Sequence, residues 1–308
     1  MKLRRTLRRV VVVGACFLGF SIFLAVLLVE IALAPSRRPL FTVPLPGRIE
    51  EVQIDSEGVR LHAWYVTPGS INAGSVLLHH GVGDNRLGVV GFARMLVPKG
   101  YAVLMVDGRG HGASGGMVTY GLRESVDVAR WVRWMRERRA GPVFGLGKSM
   151  GAAILLQSLA TEAGLAAVVA ESPFCSFREI AYDRLGQVFG AGHLLGRTLL
   201  RPAGEAGLLY TRWRTGVNPG SASPCEAVRL TRVPVLLIHG ESDNNVPVRH
   251  SRLIAAANLP HVTLWEVPEA PHTGAYAVRR EEFERRVTEF FERASGSMNS
   301  FPARKPSW

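Results

Sequence analysis

The feature that most constrains the fold is the pentapeptide GKSMG at residues 147–151. It lies between an apolar run typical of a buried strand, residues 142–146, and a helix-like run, residues 152–157. A strand, then G-x-S-x-G, then a helix is typical of a nucleophile elbow, in which a serine occupies a strained turn. Glycines flank such a serine because a Cβ at either position would collide with the neighbouring strand and helix. The pattern therefore predicts that Ser149 is a nucleophile presented at the end of a strand.

The same residues also resemble the end of a P-loop, which carries glycine, lysine and serine in succession. A P-loop needs another glycine five positions before Gly147, and that position is Pro142. Apolar strand residues run directly up to the turn, so no glycine-rich phosphate cradle is present. The sequence favours the elbow.

A serine hydroxyl needs a base to accept its proton before it can attack at neutral pH. His272 is the strongest candidate, because residues 268–274 form a loop between the last predicted strand and the last predicted helix. In the fold class that carries this elbow, the catalytic residues follow the chain order serine, acid, histidine. Histidines before Ser149 are therefore excluded as the base. His239, His250 and His261 fall within or at the start of predicted strands and helices, where a structural role is the simpler interpretation.

The acid that would orient this histidine is predicted to be Asp243. It lies in residues 239–247, directly after a buried strand, where the loops of open α/β sheets carry catalytic groups. Glu241 is close enough in sequence to compete, and Glu171, just after the preceding strand, is a second alternative. The turn would carry Asp243 past the strand tip toward His272, which favours the aspartate.

An oxyanion hole needs two backbone N–H groups aimed at the developing negative charge. The amide of Met150, directly after the serine, is one predicted donor. The amide of Val82 is the other, in the loop 79–85 that follows the first parallel strand, where Gly81 allows a close backbone approach. The histidines of this loop lack the carboxylate or cysteine spacing of a metal site. We therefore expect neither a metal nor another cofactor.

Predicted strands and helices alternate along most of the chain. The eight predicted strands are residues 49–54, 59–66, 76–79, 101–106, 142–146, 166–170, 235–238 and 262–267. The first two form an antiparallel hairpin around a turn, and the alternation that follows predicts a mostly parallel sheet with helices on both faces. Residues 174–225 interrupt the alternation and are too long for an ordinary connection. Helix-like runs at 177–188 and 194–200 predict a small helical cap there.

Residues 10–29 form an apolar run long enough to cross the roughly 30 Å core of a bilayer. A cleaved signal peptide is the alternative, but its apolar region is usually shorter, and Pro35 directly follows the possible cleavage site at residues 32–34. Five basic residues precede the run, which predicts that the catalytic domain lies on the non-cytoplasmic side, periplasmic or extracellular. We expect a single-pass membrane anchor.

The formal net charge is +12, and arginines concentrate on the polar face of one predicted helix. These residues are Arg130, Arg133, Arg136, Arg138 and Arg139. They form either a solvated face or a weak contact with anionic lipid headgroups. No nucleic-acid-binding motif with interleaved aromatic residues is recognised, so charge alone does not indicate a nucleic-acid partner. Cys175 and Cys225 could form a disulfide or remain two free thiols.

With these motifs in order, the chain resembles the α/β-hydrolase family, in the serine hydrolase group that includes esterases, lipases and serine aminopeptidase-like proteins. The residues that carry the resemblance are HHGVGDNR (79–86), DGRGHGASGG (107–116), GLGKSMGAA (145–153), ESPF (171–174), HGESDNNVP (239–247) and PEAPHTGAY (268–276). The anchor makes it similar to membrane-tethered members. Asp107 and His111 are similar to structural residues of the family.

The resemblance implies hydrolysis of a carboxylic ester or thioester, from a small-molecule or lipid-like acyl substrate, through an acyl-enzyme intermediate. A serine peptidase or aminopeptidase-like amidase is the alternative activity, and a non-catalytic protein that kept the fold is the alternative class. The predicted division is a cytoplasmic basic segment 1–9, a transmembrane anchor 10–34, a linker 35–48, a catalytic domain 49–294 with its cap at about 174–225, and a disordered tail 295–308.

Overall fold

The computed structural model describes residues 2–161, 163–188, 190 and 192–299. The chain divides into two compact units. We call Pro35–Cys175 together with Ser223–Trp308 the sheet unit, and Met1–Ala34 together with Ser176–Ala222 the helical unit. The predicted cap thus corresponds closely to the second segment of the helical unit.

The sheet unit contains one eight-stranded sheet. Its strands are β1 (Arg48–Ser56), β2 (Val59–Thr67), β3 (Ser75–His79), β4 (Ala102–Val106), β5 (Val143–Lys148), β6 (Val168–Glu171), β7 (Val235–Gly240) and β8 (Val262–Val267). Their spatial order is β1-β2-β4-β3-β5-β6-β7-β8. The pairs β1–β2 and β2–β4 are antiparallel, and every later pair is parallel. The predicted fold class, a mostly parallel sheet with an antiparallel start, is confirmed.

Helices separate the parallel strands of the sheet unit. They are α2 (Val90–Leu96), α3 (Glu124–Arg138), α4 (Met150–Ser158), α8 (Pro224–Val228), α9 (Arg249–Ala257), α10 (Ala275–Val278) and α11 (Arg280–Asn299). The prediction of a disordered tail from residue 295 is wrong for its first residues, because α11 continues through Asn299. Ala294 is buried and Ser295 Oγ donates to Phe291 O at 3.0 Å, so the last turns remain helical. Residues 300–308 lie outside the described part of the chain.

The central strands are buried along their whole length, as their continuous apolar runs predict for parallel strands covered on both faces. On one face an aromatic cluster joins the sheet to α11. Phe144 of β5 stacks on Phe291 with ring centroids 4.5 Å apart, and Tyr101 lies edge-on to Phe291 at 6.0 Å. This packing holds the last helix, and the loop before it, against the sheet.

Two buried ion pairs fix the loop after β4. Asp107 accepts hydrogen bonds from the backbone N–H of Arg86 at 2.8 Å and from Arg86 Nη2 at 2.7 Å. Arg109 Nη2 donates to Asp127 Oδ1 of α3 at 2.7 Å. Asp107 therefore holds loops together at the carboxyl end of the sheet, the structural role that the family resemblance implies.

The arginines on α3 serve mainly as contacts within the sheet unit. Arg138 pairs with Glu50 at 3.1 Å, and Arg136 Nη2 donates to Gly164 O at 2.6 Å. Arg130 and Arg139 donate to the carbonyl oxygens of Asp55 and Ile71, at 3.2 and 2.7 Å. Four of the five thus anchor the helix to neighbouring segments.

The helical unit consists of α1 (Lys2–Leu33), α5 (Phe177–Val188), α6 (Gly192–Arg197) and α7 (Arg201–Thr215). Residues Leu3–Leu33 of α1 are long and apolar enough to cross a membrane, with a mean hydropathy of 2.8 in the most apolar window. The α7 helix was not predicted, because its one proline and two glycines lower helix propensity. Pro202 lies in the first turn, where its missing N–H costs nothing, and Gly216 ends the helix at φ 70°.

Candidate active site

The turn at residues 147–151 is a strained strand-to-helix connection. Ser149 has φ 52° and ψ −120°, and its N–H donates to Glu171 O at 2.7 Å. A Cβ on Gly147 would lie 2.7 Å from the carbonyl carbon of Gly151. A Cβ on Gly151 would lie 2.4 Å from the carbonyl oxygens of His79 and His80. Both glycines are required because backbone, which cannot rotate away, fills the space where a side chain would go.

The three side chains predicted to act together lie in hydrogen-bond contact. His272 Nε2 is 2.9 Å from Ser149 Oγ, and His272 Nδ1 is 2.7 Å from Asp243 Oδ2. They come from the loops after β5, β7 and β8, which end at the same edge of the parallel sheet. An imidazole between a hydroxyl and a carboxylate can accept the hydroxyl proton while the carboxylate stabilises the resulting charge.

Asp243 is a buried carboxylate with several hydrogen bonds. Its Oδ1 accepts from the backbone N–H groups of Asn245 and Val246, at 2.9 and 2.8 Å. His239 Nε2 lies 3.2 Å from Oδ2, and His272 contacts the same oxygen. Burial by itself would raise the pKa of Asp243, but the hydrogen bonds from the two histidines hold that pKa well below its usual range. The group is therefore a carboxylate at any pH at which the protein would work.

The competing acid Glu241 is exposed at the surface. Glu171 is fully buried, and its Oε1 accepts from the backbone N–H of Ala275 at 3.0 Å. Its Oε2 has no hydrogen-bond partner among the described residues. Burial raises the pKa of Glu171 from 4.5 to about 7, against the lowering effect of the Ala275 N–H and of Lys148. Glu171 thus contacts the segment after His272, whereas Asp243 contacts the imidazole itself.

The loop that carries His272 is held just after the histidine by Glu171, the last residue of β6, and by Ser172. Ser172 Oγ accepts from the Thr273 N–H at 3.4 Å, next to the bond between Glu171 and Ala275. Ser172 and Thr273 both have φ 52°, in the left-handed region that non-glycine residues rarely adopt. Strained backbone persists only where its surroundings hold it, and it is often found in functional loops.

The two predicted oxyanion donors, Met150 and Val82, belong to segments that adjoin Ser149. Met150 begins α4, and among the described residues neither its N–H nor that of Val82 donates a hydrogen bond. The loop with Val82 approaches the serine closely, since a Cβ on Gly81 would lie 3.3 Å from Ser149 Cβ. Backbone N–H groups in segments next to a nucleophile are the usual donors of an oxyanion hole.

Neighbouring loops position the loop with Val82. His111 Nε2 accepts from the Gly83 N–H at 3.1 Å, and Ser36 Oγ donates to Gly83 O at 3.0 Å. Asp84 Oδ2 lies 3.3 Å from Lys148 Nζ. Ser36 belongs to the segment predicted as a linker, and it also exchanges backbone hydrogen bonds with Gly110 and Gly112.

His80 and His111 have both ring nitrogens in hydrogen bonds within the protein. His80 Nδ1 donates to Gly81 O at 2.7 Å, and its Nε2 accepts from the Gly108 N–H at 3.0 Å. Burial lowers the pKa of His80 well below its usual value and that of His79 to about 4. The described residues contain no cluster of three or more side chains that could bind a metal. The histidines here are neutral hydrogen-bonding groups.

Cys175 and Cys225 form a disulfide, with a Cα–Cα distance of 5.0 Å. The backbone N–H of Cys225 also donates to Cys175 O at 3.0 Å. Of the two states that the sequence left open, the structure has the paired one. Both cysteines belong to the sheet unit and flank the segment Ser176–Ala222. The disulfide therefore links the two ends of the segment Ser176–Ala222 where they join the sheet unit.

Two supporting residues lay outside the predicted site. His239 seemed only a buried strand residue, yet it lies four positions before Asp243 and reaches its carboxylate from the end of β7. Its ring is fixed by Val246 O at 2.8 Å and Ser251 Oγ at 2.7 Å. Ser172, in the ESPF motif, was also not predicted to support the site. A histidine ending the strand directly before the acid is the sequence signal that could have revealed the first.

Comparison with known proteins agrees with this architecture. A family model described as serine aminopeptidase, S33, matches residues 71–201. The chain is 30% identical over 220 residues to the uncharacterized protein MT2364 of Mycobacterium tuberculosis, covering 70% of this chain and 69% of that one. It is 26% identical over 245 residues to the uncharacterized protein YqkD of Bacillus subtilis, covering 78% of each.

Solved structures show the same fold. The Pyrococcus furiosus esterase Pf2001 superposes with a TM-score of 0.68 at 25% identity, covering 84% of this chain and 98% of that one. A puromycin-hydrolyzing peptidase of Mycobacterium tuberculosis superposes with a TM-score of 0.65 at 17% identity, covering 87% of this chain and 42% of that one. With the eight-stranded sheet and its flanking helices, these similarities show that the chain belongs to the α/β-hydrolase family, as a hydrolase of the esterase or peptidase type.

Proposed function

We propose that the protein is a serine hydrolase that cleaves a carboxylic ester or thioester through an acyl-enzyme intermediate. The observation that carries the proposal is His272, whose two ring nitrogens contact Ser149 Oγ at 2.9 Å and Asp243 Oδ2 at 2.7 Å. A chance arrangement would not combine this geometry with a strained serine and a buried, ionised aspartate.

In the proposed reaction, Ser149 Oγ attacks the acyl carbon while His272 Nε2 takes the hydroxyl proton. Asp243 stabilises the imidazolium through Nδ1, and the Val82 and Met150 amides stabilise the tetrahedral oxyanion. His272 then gives its proton to the leaving alcohol or thiol, which leaves Ser149 acylated. A water molecule, deprotonated by His272, attacks the acyl-enzyme and releases the carboxylic acid.

Ester cleavage is preferred to peptide cleavage for two reasons. The Pyrococcus furiosus esterase is 25% identical over nearly the whole of its own length. An aminopeptidase would also need a carboxylate that binds the substrate's amino terminus, and two acidic residues of the segment Ser176–Ala222 already have cationic partners. Glu179 pairs with Arg197 at 2.8 Å, and Glu205 pairs with Arg178. The description of the matching family model keeps the peptidase as the second candidate.

We further propose that α1 anchors the protein in a membrane, with the catalytic domain on the non-cytoplasmic side. The five basic residues before the apolar run support this orientation. The Cys175–Cys225 disulfide supports it independently, because such bonds persist in oxidising compartments. Extraction of cell membranes with alkaline carbonate should leave the full-length chain in the pellet, whereas a soluble, shortened product would favour a cleaved signal.

Labelling with a fluorophosphonate probe tests the proposed nucleophile, because the probe reacts with serines activated by a neighbouring base. We expect the full-length protein to be labelled and Ser149→Ala to be unlabelled. Ser242→Ala, at an exposed position near the acid, is the matched control and should label normally. Equal labelling of Ser149→Ala would refute the mechanism. Rates on p-nitrophenyl esters and on aminoacyl anilides would then decide between esterase and peptidase.

A further inference from the structure

The second half of α1 packs on the helices of its own unit. Ala25 is 6% exposed and forms an apolar cluster with Leu185, Leu200 and Ala203. Along α7, a Cβ on Gly207 would lie 3.5 Å from Ala25 Cβ and from Val29 Cγ2. The helix that would cross the membrane is therefore also a packing partner of α5 and α7.

A polar contact marks where this apolar packing ends. Glu30 Oε1 accepts from Tyr210 OH at 2.5 Å, and Arg214 Nε lies 3.7 Å from the same oxygen. A carboxylate, a guanidinium and a phenol hydroxyl belong at the water side of a bilayer interface, because burying them in hydrocarbon is costly. Glu30 thus gives the level at which α1 would leave the membrane.

Helix geometry then gives the depth of the other contacts. Ala25 lies five residues before Glu30, and at 1.5 Å per residue that is about 7–8 Å toward the bilayer centre. The side chains packed on Ala25 must lie at a similar depth. Helices that lie in a membrane interface bury their apolar face by about 5–10 Å, so the two depths agree.

Large apolar side chains are exposed at both levels. Leu194 and Leu199, beside residues that pack on α1, are 68% and 61% exposed. Leu209 and Trp213 of α7 are 66% and 79% exposed, one helical turn apart. Leu209 and Trp213 lie about 115° around α7 from the face formed by Gly207, Tyr210 and Arg214, at 100° per residue. The exposed apolar face therefore adjoins the face that contacts α1.

The charge of this segment matches a membrane surface. Residues 176–222 contain six arginines and three acidic residues. Basic residues attract anionic lipid headgroups, and a tryptophan beside a tyrosine is typical of the interfacial aromatic belt. The ring centroids of Tyr210 and Trp213 lie 5.9 Å apart, near the level of Glu30. Arg197, the basic residue close to Leu199, is paired with Glu179.

We propose that the helical unit docks into the leaflet from which α1 emerges, with Leu194 and Leu199 in the acyl-chain region and Leu209 and Trp213 in the headgroup region. The occupant of this apolar surface is the lipid bilayer. The inference depends on the membrane anchor proposed above but not on the hydrolase chemistry. It assigns α6 and α7 a membrane-binding role in addition to any contact with substrate.

Site-specific fluorescence in full-length protein tests this docking. Cys16, the free cysteine, is first replaced by serine, which leaves the Cys175–Cys225 disulfide intact. Leu199→Cys and Trp213→Cys are then labelled with an environment-sensitive dye in vesicles of phosphatidylcholine and phosphatidylglycerol. Leu230→Cys, 93% exposed in the sheet unit, is the matched control. Val12→Cys in α1 reports on the anchor.

We expect iodide to quench the dye at position 199 about fivefold less than at 230, and at 213 about twofold less. Doxyl-labelled lipids should quench the dye at 12, 199 and 213 but not at 230. Equal iodide access at 199 and 230, with position 12 still quenched by doxyl lipid, would overturn the docking while keeping the anchor. If position 199 were protected from iodide only at high protein density, and were not quenched by doxyl lipid, a second copy of the protein would be the occupant. That result would overturn the docking. Absence of doxyl quenching at position 12 would refute both the membrane anchor and the docking of the helical unit.

Discussion

Two glycine contacts, one at the elbow and one between α7 and α1, show how differently these two places are packed. At the elbow, a Cβ on Gly151 would lie 2.4 Å from two carbonyl oxygens of the backbone. In α7, a Cβ on Gly207 would lie 3.5 Å from side-chain carbons of α1, an ordinary van der Waals distance. Gly151 therefore serves a steric need at the elbow, whereas Gly207 leaves only a small gap between α7 and α1.

The difference reflects what each region must do. Around Ser149, loops are fixed by backbone hydrogen bonds, by buried ion pairs and by strained φ angles, because the proposed reaction needs groups held within a fraction of an ångström. In the helical unit, apolar side chains pack on one face and remain exposed on another. Side-chain packing tolerates adjustment, which suits a surface that meets fluid lipid.

The largest expected effect lies in the sheet unit. Asp243→Asn should leave the fold intact but lower kcat by about 10⁴-fold, because an amide favours the wrong imidazole tautomer and cannot stabilise the imidazolium. Steady-state rates on a p-nitrophenyl ester measure this. Glu241→Gln, at the exposed competing acid, should change kcat less than about twofold. If Glu241→Gln abolished activity and Asp243→Asn did not, the acid would be misassigned.

Gly151→Ala probes the elbow directly. The new methyl group would meet His79 O and His80 O at 2.4 Å, so we expect a loss of about 3 kcal/mol or more in the free energy of unfolding. Thermal or urea unfolding in detergent measures the loss. Gly69→Ala, where no atom lies within 4 Å of the new Cβ, should change stability by less than about 0.5 kcal/mol. Equal, small effects would mean that the elbow can relax.

Glu171→Gln should alter the pH dependence of stability. Burial raises the pKa of Glu171 to about 7, so the folded protein keeps a proton that the unfolded chain releases at about pH 4.5. The free energy of unfolding of the wild type should therefore fall between pH 5 and 8, by on the order of 2–3 kcal/mol. The glutamine variant, which cannot ionise, should lack this fall. Parallel pH profiles of the two proteins would contradict the prediction.

The smallest effect is expected in the helical unit, and it has the opposite sign. Gly207→Ala should raise the free energy of unfolding by about 0.5–1 kcal/mol, because alanine is the better helix former and its methyl group fits against Ala25. Gly204→Ala is the contrasting variant, since its Cβ would lie 2.9 Å from the Tyr182 ring. Destabilisation by both substitutions would show that the contact between α1 and α7 is as closely packed as the elbow.

Much of the candidate site could be predicted because its geometry leaves local signatures. A strained serine turn requires glycines on both sides, and the loops after β7 and β8 carry their polar residues at the strand ends. The sequence places His239 four positions before Asp243, but the contact between them depends on how the loop turns back over its own strand. The choice between Asp243 and Glu171 likewise depended on which carboxylate faces the imidazole.

The amino-acid sequence alone determined the alternation of strands and helices in the sheet unit, the elbow at residues 147–151, the apolar helix at the N-terminus and the candidate partners of Ser149. These follow from hydrophobic periodicity and from backbone sterics, which act over a few neighbouring residues. Only the tertiary structure decided that Cys175 pairs with Cys225, that Glu171 is buried behind the histidine loop, and that α1 packs on α7. Glu30 and Tyr210 are 180 residues apart, and contacts at such a separation depend on how the whole chain folds.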